Sequence, residues 1–200
     1  MDFFYGLASL AGWGFKLYSW LIVAAFVMSW IDADPSNSLV RFVYRATMPL
    51  WHWIQDKVPD WLAPLAPLLA LLLADFGEIF APGLIRSLGG ALTGGLPADQ
   101  AILNTGIYGL LGAVVVAKSM VFFLMILAIL YFVFSLVKPG QNNGFVRSVV
   151  WMIDPFISPL QRFLPRASVD LSPIILAGGL YLALHFMNPL AHRLQGSLML

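Results

Sequence analysis

Apolar residues run almost unbroken from Leu17 to Ile31, with Lys16 at one end and Asp32 and Asp34 at the other. As a helix rising about 1.5 Å per residue, Lys16 to Asp32 covers roughly 24 Å, short of a ~30 Å hydrocarbon core unless the Lys16 ammonium reaches outward along its stem. A second such run lies between Lys118 and Lys138, and there the same rise gives about 30 Å. Two further apolar stretches re-enter the bilayer, so the expected spanning helices are 17–31, 62–80, 119–137 and 171–187. Asp170 or Ser168 can cap the last of them, with Pro173 in the first turn, where a missing amide hydrogen is tolerated.

Between the two spans of each pair the pattern changes. Asp34-Pro35-Ser36-Asn37 forms a turn cluster, as does Pro139-Gly140-Gln141-Asn142-Asn143-Gly144. After the first cluster the chain takes a helical period: Arg41 and Arg45 share one face, while Leu39, Phe42, Val43 and Ala46 populate another. Pro49 is expected to interrupt this helix, since it offers no amide hydrogen and crowds the preceding turn; Trp51, Trp53 and Trp61 supply rings suited to the membrane surface. In the second copy Asp154 reads as an N-cap and Pro155 as the first residue of a short second helix ending near Pro165. Both segments are expected to lie in the interface.

The two halves repeat without a gap at a spacing of 106 residues, the distance from Asn37 to Asn143. Ser29, Val40, Arg41, Val43, Pro49, Gln55, Pro59, Leu65 and Pro67 recur as Ser135, Val146, Arg147, Val149, Pro155, Gln161, Pro165, Leu171 and Pro173. Drifting apolar composition does not reproduce prolines and an arginine in register. The organisation expected is a first repeat over 1–81, a Gly-rich linker over 82–104 and a second repeat over 105–200. Residues 101–117 are apolar but contain glycine, and could extend the next helix, lie on the surface or re-enter the membrane. With an even number of spans in each, the repeats share one orientation, giving an all-α membrane fold of spanning helix, proline-broken interfacial helix and spanning helix, twice.

Composition sharpens the class. Of the residues, 60% are hydrophobic and 10% charged, with a mean hydropathy of +0.84, far from the roughly 25% charged residues of soluble domains. The net charge of +1 argues against nucleic acid as a partner. Without cysteine, disulfides, thiolate metal sites, lipidated cysteines and thioether-bound haem are excluded. Asp2 stands where a signal peptide would carry basic residues, so the start reads as mature sequence. Arg41, Arg45, Lys57, Lys138, Arg147, Arg162 and Arg166 fall on the side of the surface segments, against Lys16, Arg86, Lys118 and Arg193 opposite. That excess puts the surface segments in the cytoplasm and the termini outside.

Ser29-Trp30, Asp34-Pro35-Ser36-Asn37, Val40-Arg41-Phe42, Tyr44-Arg45 and Pro49 resemble the YggT family pattern, as do Asp154-Pro155, Pro159, Pro165 and Asp170-Leu171-Ser172-Pro173-Ile174. The resemblance covers about 17–80 and 122–186. It departs in the first repeat, where Pro64-Leu65-Ala66-Pro67 replaces the Asp-Leu-Ser-Pro type of motif and Met48 replaces an acidic residue before the proline. The resemblance implies a small bacterial inner-membrane protein. Relatives are associated with osmotic stress and ion homeostasis, with cell division or nucleoid organisation, and in photosynthetic lineages with haem attachment to a cytochrome b. That breadth implies a scaffold or assembly role.

Candidate chemistry falls into two groups. Arg41, Arg45, Arg147 and Arg162 can contact anionic lipid headgroups or partner proteins, or serve only to fix the depth of their helices. Asp75, Glu78, Lys118 and His185 are ionisable groups inside spans, all placed toward the non-cytoplasmic end by the span limits above. They could line an ion or proton path between the repeats, as a channel or transporter would. The plainer reading is preferred because no acidic group falls at mid-bilayer: Lys118 neutralises one carboxylate while the others reach headgroups or water. His52, His185 and His192 show no ligand spacing and Ser29 has no orienting pair, so no metal, cofactor or catalytic activity is expected. Gly-rich helices could support a homo-oligomer. Pro49, Pro155, Asp170 and Pro173 are assigned structural roles.

Overall fold

A computed structural model of the 200-residue chain describes residues 2–31, 33–60, 63–137, 144–163 and 170–198. These form α1 (Asp2–Trp30), α2 (Ser38–Gln55), a 3-10 turn (Ala63–Leu65), α3 (Ala66–Leu92), α4 (Ala98–Val137), α5 (Gly144–Phe163) and α6 (Ser172–Gly196), with no strand among the described residues. The order long, short, long appears twice. Among the described residues, α1, α3, α4 and α6 are the helices long and apolar enough to cross a membrane, which makes the chain an all-α, multi-pass membrane protein. Large apolar side chains such as Phe3, Leu17, Trp20, Phe122, Tyr181 and Phe186 stand exposed on them, as lipid-facing residues must.

All four long helices outrun the expected spans. The stretch 82–104, read as a Gly-rich linker, is helical over most of its length: α3 continues to Leu92 and α4 begins at Ala98. Glycine is tolerated there because it lets helices touch. A β-carbon on Gly83 would run into the Tyr108 ring, and one on Gly89 into Phe4, so in these helices a small side chain is a packing device rather than a break. The true turn is 93–97, where Gly94 takes φ +72° and the Gly90 carbonyl accepts from the amides of Gly95 and Leu96 at 2.9 and 3.0 Å. The ambiguous 101–117 belongs to α4. At 40 residues, α4 is about 60 Å long, twice a hydrocarbon core.

The prolines also differ from expectation. Pro49 lies inside α2, and Pro155 and Pro159 lie inside α5, each helix running through them. Pro49 and Pro155 are on exposed sides of their helices, where the carbonyl crowded by the ring can tilt outward without disturbing the core. Asp154 is therefore mid-helix rather than an N-cap. Asn37 does cap α2, its Oδ1 accepting from the Leu39 amide at 2.9 Å. Trp53 is exposed, whereas Trp51 packs inward on the core. Asp32, Trp61, Lys138, 139–143, Pro165, Arg166 and Ser168 lie outside the described residues.

The chain divides into two compact units, Met1–Val116 with Ala191–Leu200, and Ala117–Leu190. In the first, α1 and α3 pack most extensively, and a core of Ile22, Ile54, Ala66, Ala70 and Ala74 is closed by Tyr18, Leu50 and Trp51. In the second, Leu127, Ala128, Val149, Ile153 and Ile157 form the core with Phe134 and Tyr131 against it. The repeat register survives in burial: Val43 and Val149 are both buried, as are Thr47 and Ile153. Each short helix uses the same inward face.

Candidate functional site

On α2, Val40, Val43, Thr47 and Ile54 point inward, which turns two flanks of the helix outward. One flank carries Leu39, Phe42 and Trp53, exposed and apolar. The other carries Arg41, Arg45 and His52, at helical spacings that align them, all exposed. Arg41 and Arg45 share a shallow groove of about 270 Å³ with Ser38 and Phe42. The groove is preformed at the Arg41 end: Asp34 accepts from the Ser36 amide at 2.8 Å and from its hydroxyl at 2.6 Å, and Arg41 Nη2 donates to the Ser36 carbonyl at 3.3 Å. The Ser36 hydroxyl, then its amide, hold the Asp34 carboxyl below the usual carboxylate range. On α5 Arg147, the register equivalent of Arg41, and Arg162 are likewise exposed, with the exposed Trp151 one turn after Arg147.

Asp170 stands at the start of α6. Its Oδ1 accepts from the Ser172 amide at 2.9 Å and its Oδ2 from Gln161 Nε2 at 2.6 Å, joining the end of α5 to the start of α6. Burial pushes its pKa up, but the hydrogen bonds from Ser172 and Gln161 outweigh it and hold the carboxyl low. Pro173, fully buried, follows in the first turn. Gln161 was not singled out by sequence reasoning, although its recurrence from Gln55 was the available signal.

The family model of CCB3/YggT matches residues 4–85 and again 110–191. The chain belongs to the CCB3/YggT family. The second match begins 106 residues after the first, residue 110 against residue 4, which is the register of the internal repeat. An uncharacterized protein of Pseudomonas aeruginosa is 27% identical over 160 residues, 80% of this chain and 76% of that one. No solved structure matches the chain. Of the family-like motifs, Asp34-Pro35-Ser36-Asn37 thus forms the turn that seats α2 and Asp170-Leu171-Ser172-Pro173 the cap that starts α6.

The ionisable set reads differently once the helix limits are in place. Asp75 lies in the interior of α3 (Ala66–Leu92), about 14 Å from its start and about 26 Å from its end. The shorter span expected from sequence, 62–80, places it too near the far end. Its Oδ1 accepts from the Ser19 hydroxyl of α1 at 3.3 Å. Glu78, one turn on, lines a cavity of about 510 Å³ with Lys16 and Arg86. Asp75 and Glu78 belong to the first unit, Lys118 and His185 to the second, where Lys118 is half-buried and His185 is exposed beside Phe186. Ser19 and Arg86 escaped sequence reasoning, Ser19 as a small polar residue in an apolar run and Arg86 because it fell in the supposed linker. Among the described residues no three His, Asp or Glu side chains gather as a metal site would need.

Proposed function

We propose that this protein is a non-enzymatic scaffold or assembly factor of a bacterial inner membrane. Its two short helices lie along the cytoplasmic headgroup layer and engage anionic lipid and partner proteins, in a pathway touching osmotic tolerance; the termini are periplasmic. The observation that carries this is the outward side of α2: a basic flank of Arg41 and Arg45 beside an apolar flank of Leu39, Phe42 and Trp53, with the third side buried. Such a helix gains apolar burial and headgroup attraction at once when it lies in the interface, roughly 1 kcal/mol per basic residue near an anionic surface. Arg147 repeats the feature on α5. The family match supports a membrane role, and the motifs retained in both repeats cluster in and beside the short helices.

The test is Arg41→Ala combined with Arg147→Ala, assayed by co-purifying lipid, partner capture from native membranes and growth under osmotic upshift. Loss of bound anionic lipid and of captured partners supports the scaffold; all three unchanged would reject it. A second reading, ion passage, draws on the Ser19–Asp75 hydrogen bond inside the α1–α3 pair. It requires flux through purified protein in liposomes that Asp75→Asn or Glu78→Gln reduces, and flux equal to empty vesicles disposes of it.

A further inference from the structure

The cavity of the first unit has the makings of a ligand site that neither reading above assigns. Its lining combines apolar residues, Ile79, Pro82 and Leu111 with the Trp13 and Tyr108 rings, and three charged ones, Lys16, Glu78 and Arg86. Lys16 and Glu78 are on facing helices, and Arg86 is two turns beyond Glu78 on α3. The three charges do not cancel one another: among the described residues none of them makes an ion pair or a side-chain hydrogen bond. The cations rest instead on aromatic faces, Lys16 Nζ 5.7 Å from the Trp13 ring centroid and the Arg86 guanidinium 5.8 Å from that of Tyr5. Arg86 Nε is buried with no partner, an uncompensated donor of the kind that a bound acceptor relieves.

A simple anion would satisfy Lys16 and Arg86 but be repelled by Glu78, and a simple cation would meet the reverse conflict. A group carrying both signs uses all three. We propose that this cavity binds an aminoalkyl phosphate, its phosphate on Lys16 and Arg86 and its ammonium on Glu78, with the apolar lining residues receiving whatever hydrocarbon is attached. Arginine suits the phosphate because its fork donates two parallel hydrogen bonds. The same chemistry occurs as the headgroup of phosphatidylethanolamine and as free phosphoethanolamine. The site lies on α1, α3, α4 and the C-terminal segment and shares no residue with the basic flanks of α2 and α5.

The test is native mass spectrometry of the full chain in detergent, titrated with phosphatidylethanolamine and phosphatidylglycerol of the same acyl length. The wild type should prefer the amine-bearing lipid. Glu78→Gln should abolish that preference, weakening phosphatidylethanolamine about tenfold while phosphatidylglycerol holds or gains, the scale of one charge-assisted contact. Glu78→Asp, which keeps the carboxylate, should retain the preference and guards against a folding artefact. Lys16→Met with Arg86→Met should weaken both lipids. Free phosphoethanolamine separates the sources: displacement of bound lipid assigns the site to the soluble zwitterion, and lipid retained against it assigns the site to the headgroup. Equal binding of the two lipids by the wild type, or a preference unchanged in Glu78→Gln, would overturn the proposal.

Discussion

α3 and α6 occupy the same place in their repeats, yet they live in different surroundings. In its most apolar window a third of α3 is buried (33%), against 6% of α6. Gly77, Gly83 and Gly89 of α3 each sit against an aromatic ring, from Phe15, Tyr108 and Phe4, whereas Gly178 and Gly179 of α6 have nothing within 4 Å. Duplication preserved the pattern that makes a span, while the contacts made by that span diverged. The polar residues followed the contacts. Ser19 and Asp75 meet between α1 and α3, and their register equivalents are Met125 and Tyr181, of which Tyr181 is exposed. What both repeats share is the inward face of the short helix and an arginine on its outward flank, Arg41 and Arg147.

The sharpest way to break this comparison is to load the glycines. Gly83→Leu should destabilise the protein by about 1–3 kcal/mol or prevent its assembly, since the first carbon added meets the base of the Tyr108 ring. Gly179→Leu should change the detergent melting temperature little. Equal effects would mean that α6 is packed as tightly as α3. Next in size is Ser19→Ala, which leaves the interior Asp75 carboxylate without its hydroxyl donor and should cost about 1–2 kcal/mol. Met125→Ala, at the equivalent position, leaves no polar group stranded, so its cost should be that of lost packing alone and insensitive to Tyr181→Phe.

The junction between short and second long helix offers a finer test. Asp170 links Gln161 to the start of α6 in the second repeat, but Pro64 stands at its position in the first, where a 3-10 turn leads into α3 with no side-chain cap. Asp170→Ala should cost about 1 kcal/mol, and Gln161→Ala should lose most of its effect once Asp170 is gone, in a double-mutant thermal series. Gln55→Ala should be nearly silent. The smallest effect is pH dependence. The Asp170 carboxyl is held below its ordinary value of 3.8 in the folded protein, so its contribution is complete above that value and lost as pH falls through the lower folded one. Stability should therefore fall less steeply with pH in Asp170→Asn than in the wild type over that window.

Much of this was legible in the sequence because the signals are local. Apolar runs bounded by charge located the spanning helices, the 106-residue register exposed the duplication, and the spacing of Arg41 and Arg45 put them on one flank. Helix ends were less legible. In 82–92, glycine reads as a linker signal, but against Phe4 and Tyr108 it is what lets helices close. The prolines of α2 and α5 misled for a related reason: propensity counts the lost hydrogen bond, and an exposed helical flank accommodates it. The cavity was invisible because only packing brings Lys16 of α1 to Glu78 and Arg86 of α3, and a linker reading of 82–104 separates Arg86 from Glu78.

Whether the retained arginines work at the membrane surface is decided most directly by the anionic phospholipid retained per molecule of purified protein. Wild type and Arg41→Ala with Arg147→Ala, extracted from the same membranes under the same detergent, should differ by about tenfold or more in lipid affinity, from the roughly 1 kcal/mol that each basic residue contributes near an anionic surface. Identical retention by the two, with both proteins folded and monodisperse, would contradict a role for the short helices in holding lipid.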